Sequence, residues 1–212
     1  MTKVGGIILC GGQSKRMGRP KAWLPFGPEL MLQRVVRILA MAVQPLVVVA
    51  APDQEVPPLP PGLMLARDSK PGCGPLEGLS TGLAALGSTC DAAYMSSCDV
   101  PLLRANFVSR MVELLGKHAV CVPRVDDYFH PLAAVYRVEV QPVILRLLAM
   151  NRLRPVFLFD EVPTRIVEAR ELTDVDDTLQ SLRNLNTPED YEAALRDAQL
   201  THGGTDDPDR GG

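Results

Sequence analysis

The sequence predicts a three-layer α/β/α fold, with a mostly parallel sheet between two layers of helices. Three observations carry this. Short valine- and isoleucine-rich runs alternate with segments of helical spacing, the pattern of strand–helix–strand units. The strand-like runs are apolar throughout rather than alternating, as in strands buried on both faces. The first of them ends at Gly11-Gly12, where a strand would leave the sheet into a loop.

The elements follow in order. Residues 4–10 are short, apolar and rich in β-formers. Residues 30–43 place Leu32, Val35, Val36, Leu39 and Val43 at helical spacing, with Gln33, Arg34 and Arg37 between them. Residues 46–51 are a second buried strand, completing a β–loop–α–β unit. Five prolines across residues 52–62 predict a surface connection. Residues 63–67 read as a short strand ending at Asp68. Glycines 72, 74 and 78 surround Pro75 and lead into a helix over 79–86. A strand over 92–97 ends at Cys98-Asp99-Val100-Pro101, and a helix near 106–116 and a strand over 119–123 close a second unit. Beyond lie a strand at 132–136, a helix over 140–150 and a strand at 165–169.

Thr187-Pro188-Glu189-Asp190 starts a last helix, running to about residue 200. Thr187 can cap it, Pro188 suits the first turn, and the acids complement the positive end. Residues 1–200 are expected to form one domain. The polar, glycine-rich tail, 201–212, is expected to be disordered.

Composition narrows the function. Of 212 residues, 46% are hydrophobic and 22% charged, enough for a packed core, and the net charge is −3. That balance gives no electrostatic reason to expect nucleic acid or an anionic membrane as partner. Five cysteines without CxxC spacing suggest neither a zinc site nor a disulfide framework. The apolar stretch 38–51 is split by Gln44 and Pro45 and falls short of the ~20 residues of a membrane span. The N-terminal run ends in a glycine loop rather than a cleavage site, so a cytoplasmic protein is expected.

The chemistry concentrates in LCGGQSKRMGRPKAWLPF, residues 9–26, with three glycines and the cations Lys15, Arg16, Arg19 and Lys21. Glycines let backbone N–H groups approach phosphate oxygens, and cations neutralise them. The string is neither a P-loop, since Arg19 follows Gly18, nor a GxGxxG turn, since Gln13 stands at the second glycine. Asp99 sits just past a strand end, where open α/β sheets place ligands, and one or two carboxylates suffice for Mg²⁺ beside phosphates. The alternatives are a basic surface turn for the loop, turn acids for Asp68 and Asp99, and solvated cations for Lys21 and Arg16.

The string resembles the L-x-G-G-x-S-x-R-M-G-x-x-K-A signature of nucleotidyltransferases, most closely the molybdenum cofactor guanylyltransferases. Four further segments agree in order: Asp68 followed by Gly74-Pro75-Leu76-Glu77-Gly78-Leu79, the Cys98-Asp99-Val100-Pro101 corner, His130-Pro131-Leu132, and Asn184-Leu185-Asn186-Thr187-Pro188-Glu189-Asp190. The resemblance spans about residues 4–196. It implies a Rossmann-like sheet of the nucleotide-diphospho-sugar transferase type. It also implies transfer of GMP from GTP to the terminal phosphate of molybdopterin, with Mg²⁺ as cofactor and pyrophosphate as product. Leu9, Cys10 and Gly11 would line the guanine and ribose pocket. Gly12, Arg16 and Lys21 would face the phosphates, and Lys21, Arg16 and Asp99 would carry catalysis. Asp68 would contact the nucleoside, Asp99 would hold the metal, and Asn184 and Asn186 would lie toward the acceptor. Transient contacts with cofactor-delivering and cofactor-accepting proteins are implied as well.

Two positions depart from the family pattern. Cys10 stands where alanine is usual, and Ala51 where members often carry an asparagine; alanine donates no side-chain hydrogen bond to the base. A cytidylyltransferase, a sugar-phosphate nucleotidyltransferase and a nucleotide-binding protein without catalysis remain as alternatives. Lys21, Asp68 and Asp99 together argue against the last.

Overall fold

The computed structural model describes residues 2–11, 19–68, 72 and 74–199. The predicted tail and residues 12–18, with Gly12, Lys15 and Arg16, lie outside them. The strands are β1 (Val4–Leu9), β2 (Pro25–Phe26), β3 (Glu29–Leu30), β4 (Leu46–Ala50), β5 (Met64–Arg67) and β6 (Ala92–Ser97), followed by β7 (Val120–Val125), β8 (Tyr128–Phe129), β9 (Ala134–Arg137) and β10 (Thr164–Glu168). The helices are α1 (Met31–Ala40), α2 (Gly74–Leu86), α3 (Ala105–Leu115), α4 (Gln141–Ala149), α5 (Val156–Phe159) and α6 (Pro188–Asp197).

The main sheet runs β10-β7-β9-β6-β1-β4-β5, with β8 paired to β7. β1 lies parallel to β4 and β6, and β4 to β5. Among the described strands of this sheet, only β9 and the short β8 run antiparallel to their neighbours. Successive strand residues point to opposite faces, and the core divides accordingly. Ile8, Val48 and Tyr94 pack with Leu32, Leu39, Phe107 and Met111 of α1 and α3. Ile7, Val47 and Met95 pack on the other face, with Leu76, Leu79, Leu83, Ile144 and Leu147 of α2 and α4. This is the three-layer arrangement predicted from the sequence.

Several boundaries differ. The glycine-proline stretch read as an approach loop is the first turn of α2, which starts at Gly74 rather than residue 79. Proline lacks the N–H that a first turn leaves unpaired, so Pro75 starts the helix rather than blocking it. The strand expected at 132–136 starts at Ala134, because Pro131–Ala133 forms a helical turn. The β2–β3 hairpin, β8 and α5 are too short to show a period. The proline-rich connection is surface chain, but it carries Gln54 into the sheet edge. Among the described residues no helix is long and apolar enough to cross a membrane.

Candidate active site

Three strands of the parallel half end beside one another. Cys10 N–H donates to the Val49 carbonyl at 2.8 Å and Cys98 N–H to the Leu9 carbonyl at 2.9 Å. These bonds carry the ladder one step past the strands and fix where the chain leaves the sheet. Gly11 stands at that exit, with a backbone any residue can adopt. A Cβ built there meets only the Ala51 nitrogen, at 3.8 Å, among the described residues. Among the described residues the fold therefore does not require glycine at 11.

Asp68 follows β5, its N–H bonded to the Ala50 carbonyl at 3.0 Å. Burial raises its pKa, partly countered by a hydrogen bond from Thr81. Its Oδ1 is buried with no hydrogen-bond partner. A buried acceptor left unpaired among the described residues costs ~1–3 kcal/mol, a penalty that an added donor would relieve.

Asp99 follows β6 and gathers the other groups. Lys21 Nζ lies 2.7 Å from its Oδ2 and donates to Asn186 Oδ1 at 2.9 Å. Ser97 Oγ donates to Asp99 Oδ1 at 2.6 Å, and Asn184 Nδ2 to the same oxygen at 3.1 Å. The Asp99 carbonyl accepts the Leu185 N–H at 2.9 Å. Leu185 is buried with Leu24, Phe26, Met31 and Tyr191, so its two flanking asparagines turn to the opposite side, onto the carboxylate and the ammonium. Thr187 then caps α6: its Oγ accepts the Asp190 N–H at 3.2 Å, and Asp190 Oδ2 accepts the Asn186 and Thr187 N–H groups at 3.0 Å each.

The structure thus brings together Lys21, Asp99, Asn184 and Asn186, and places Leu9, Cys10, Gly11 and Asp68 along the same sheet edge. β5 and β6 are separated by β4 and β1, about 14 Å at ~4.8 Å per strand. Asp68 and Asp99 can therefore touch only opposite ends of one ligand. Gly12 and Arg16 fall outside the described residues.

Sequence reading missed two residues. Ser97 orients the Asp99 carboxylate, and its only signal was a position two residues earlier at the strand end. Gln54 has none among its prolines. Its Nε2 donates to the Cys10 carbonyl at 2.8 Å and its Oε1 accepts the Ala51 N–H at 3.3 Å. Cys10 and Cys98 are buried neighbours whose interaction lowers the Cys10 thiol's pKa and, with burial, raises that of Cys98.

Among the described residues no three His, Cys, Asp or Glu side chains cluster as a metal cage. The donors at Asp99 are one carboxylate, a hydroxyl and amides, all hard and oxygen-rich. That fits a cation such as Mg²⁺, which takes one or two carboxylates and completes its shell with substrate phosphates and waters.

Known proteins resemble this chain in sequence and in fold. Residues 6–164 match the family model of the MobA-like NTP transferase domain. A protein of Carboxydothermus hydrogenoformans named "Probable molybdenum cofactor guanylyltransferase" is 31% identical over 189 residues, 89% of this chain and 93% of that protein. One of the same name from Mycobacterium tuberculosis is 35% identical over 182 residues, 81% of this chain and 88% of that one. The crystal structure of the molybdopterin-guanine dinucleotide biosynthesis protein A of Archaeoglobus fulgidus superposes with a TM-score of 0.76 at 19% identity. That match covers 93% of this chain and 98% of the other; at such identity it speaks for the fold. The sequence kinship and the family match together make this chain a member of the MobA-like NTP transferase family, and hence a nucleotidyltransferase.

Proposed function

We propose that this enzyme transfers GMP from GTP to the terminal phosphate of molybdopterin. The observation that carries this reading is the junction of Lys21, Asp99, Asn184 and Asn186 at the strand ends. An oxygen of the acceptor phosphate attacks the α-phosphorus of GTP. The bond from that phosphorus to the bridging oxygen breaks, and pyrophosphate leaves with the electron pair. The attacking phosphate is already ionised at neutral pH, so no protein base is needed; alignment and charge neutralisation supply the rate.

In this reading Gly11 lines the base and ribose pocket beside Leu9 and Cys10, and Gly12 faces the phosphates. Arg16 and Lys21 meet their charge. Lys21 exchanges Asp99 for the departing pyrophosphate, while Asn186 holds its ammonium between the two positions. Asp99 and the oxygens around it would hold Mg²⁺, which would supply Lewis-acid charge neutralisation. Ser97 and Asn184 keep the carboxylate in one orientation. Leu9 and Cys10 border the base and ribose, and the orphaned Oδ1 of Asp68 accepts the N1–H or N2–H of guanine. Residues 1–200 act as one catalytic unit, with 201–212 as a tail, working in the cytoplasm with transient contacts to proteins that deliver and collect the cofactor.

The test is pyrophosphate release with Mg²⁺, acceptor and competing nucleoside triphosphates. GTP should be preferred by about tenfold or more over CTP, because a mismatched base leaves a buried group unpaired. Equal use of CTP would move the enzyme to the cytidylyl branch, and no release from any nucleotide would remove the catalytic reading.

A further inference from the structure

Asn184 serves two places. Its Nδ2 is held by Asp99 Oδ1 at 3.1 Å, and the residue is also a wall of a cavity of about 250 Å³. Pro75, Phe129, Leu132 and Leu182 supply apolar walls, and His130 and Ser181 polar ones, the Ser181 hydroxyl already accepting the Arg104 N–H at 3.0 Å. Among the described residues no Lys, Arg, Asp or Glu lines this space. A phosphate there would be a charge without a partner, at heavy desolvation cost. The cavity is also smaller than the ~300–1,000 Å³ typical of pockets for whole ligands; it suits one ring system. Its position separates it from the donor nucleotide. Leu9, Gly11 and Asp68 lie at the ends of β1 and β5, on one side of β6. Phe129 and His130 follow β7, which stands on the other side beyond β9. Asp99, after β6, lies between.

We propose that this cavity is the subsite for the uncharged heterocyclic body of the acceptor, a flat bicyclic ring of the pterin type, and that His130 determines specificity for it. The inference rests on the reading of the Lys21–Asp99 junction as the phosphate-transfer centre. His130 is held by its backbone: its N–H donates to the Pro123 carbonyl at 2.9 Å, and its carbonyl accepts the Ala133 N–H at 3.0 Å. Its ring makes no hydrogen bond to the described protein. Burial lowers the imidazole pKa, so near pH 7 one ring nitrogen donates and the other accepts. Asn184 is complementary. With its amide nitrogen committed to Asp99, its Oδ1 remains as an acceptor. A donor–acceptor edge on a flat ring, as in a pterin amide, matches two such groups between apolar walls. The acceptor's phosphate would then reach past Asn184 to Lys21.

The probe is 6-hydroxymethylpterin, a fluorescent pterin without phosphate, titrated into the full-length protein. His130→Phe preserves a ring while removing both hydrogen-bonding nitrogens, and Leu132→Trp fills the cavity. Wild type should bind the pterin, and His130→Phe should weaken it by about tenfold, the effect of one lost buried hydrogen bond. Leu132→Trp should abolish it. The rise in Tm caused by GTP should stay unchanged in both variants, which also shows that they fold. With molybdopterin as acceptor, His130→Phe should raise the acceptor KM and leave kcat and the GTP KM alone. Unaltered pterin binding in both variants, or displacement of the pterin by guanosine, overturns the proposal. The two readings fail separately. His130-dependent pterin binding without any nucleotidyl transfer upholds the cavity and sinks the proposed reaction. Normal transfer with an unchanged acceptor KM in His130→Phe does the reverse.

Discussion

Asp99 is a junction of side chains. Lys21, Ser97 and Asn184 all bond its carboxylate, so substitution affects its partners too. Asp99→Asn keeps the shape, removes the charge and ends the attraction to the ammonium. Pyrophosphate release should fall by roughly a hundredfold or more, the scale of losing one preorganised electrostatic group. Tm should fall only modestly, because the pair is largely buried but Lys21 keeps its bond to Asn186 and an asparagine oxygen can still accept from Ser97 and Asn184. Activity near wild type in a folded Asp99→Asn protein would remove Asp99 from the mechanism. Gly11 makes the complementary case. Its Cβ has room and its backbone is unstrained, so Gly11→Ala should fold with wild-type Tm. The added methyl would project into the space above the strand end and block the nucleotide. The expected readout is loss of the GTP-induced Tm rise; an undiminished rise would place the base and ribose elsewhere.

At the scale of elements, the approach of α2 to β1 sets the floor of the site. A Cβ on Gly82 would meet three Ile7 side-chain atoms at 2.6–2.8 Å, and one on Gly78 would meet Leu9 Cδ2 at 2.8 Å. These glycines therefore bring helix and strand close together, and the motif glycine at 78 backs Leu9. Gly82→Ala sets two effects against each other. Alanine gains up to ~1 kcal/mol in helix propensity, while overpacking a closed core costs ~1–3 kcal/mol. Ile7 is fully buried and cannot turn away from three contacts at once, so the clash should win. Tm should fall by several degrees in a melting experiment, given roughly 2–4 °C per kcal/mol at this chain length. An unchanged or raised Tm would show that α2 is free to shift.

The whole molecule closes the site by returning its last segment to its first loop. α6 packs on the β2–β3 hairpin and α1 through Leu185, Tyr191, Leu195, Phe26 and Met31. Tyr191 hydroxyl donates to the Pro25 carbonyl, just past Lys21. Asp176, fully buried, accepts the Gln180 and Ser181 N–H groups at 3.1 and 2.8 Å and turns the chain toward Asn184. Leu185→Ala should cost ~2–5 kcal/mol through the cavity it leaves. It should also lower kcat, because Asn184 and Asn186 lose the anchor between them, while GTP binding at the distant Asp68 end persists. A fall in Tm with kcat unchanged would make this segment scaffold alone.

The sequence by itself determined the layered fold, because apolar runs and helical periods follow from which faces must be buried. It also marked the glycine loop, Asp68, Asp99 and the Asn-Leu-Asn segment, since motif residues keep their order along the chain. Even the start of α6 was legible, because a cap acts over three or four residues. Short elements such as β2, β3 and α5 were not, for want of a period, and the start of α2 was hidden because a proline that opens a helix looks like a loop. The partners of Lys21 belong to the tertiary structure alone. Its bonds to Asp99 and Asn186 span 78 and 165 residues. No local pattern encodes such contacts; they exist because a buried leucine and a sheet edge bring distant segments to one point. Gln54 and the His130 cavity arise in the same way, from packing that sums over the whole chain.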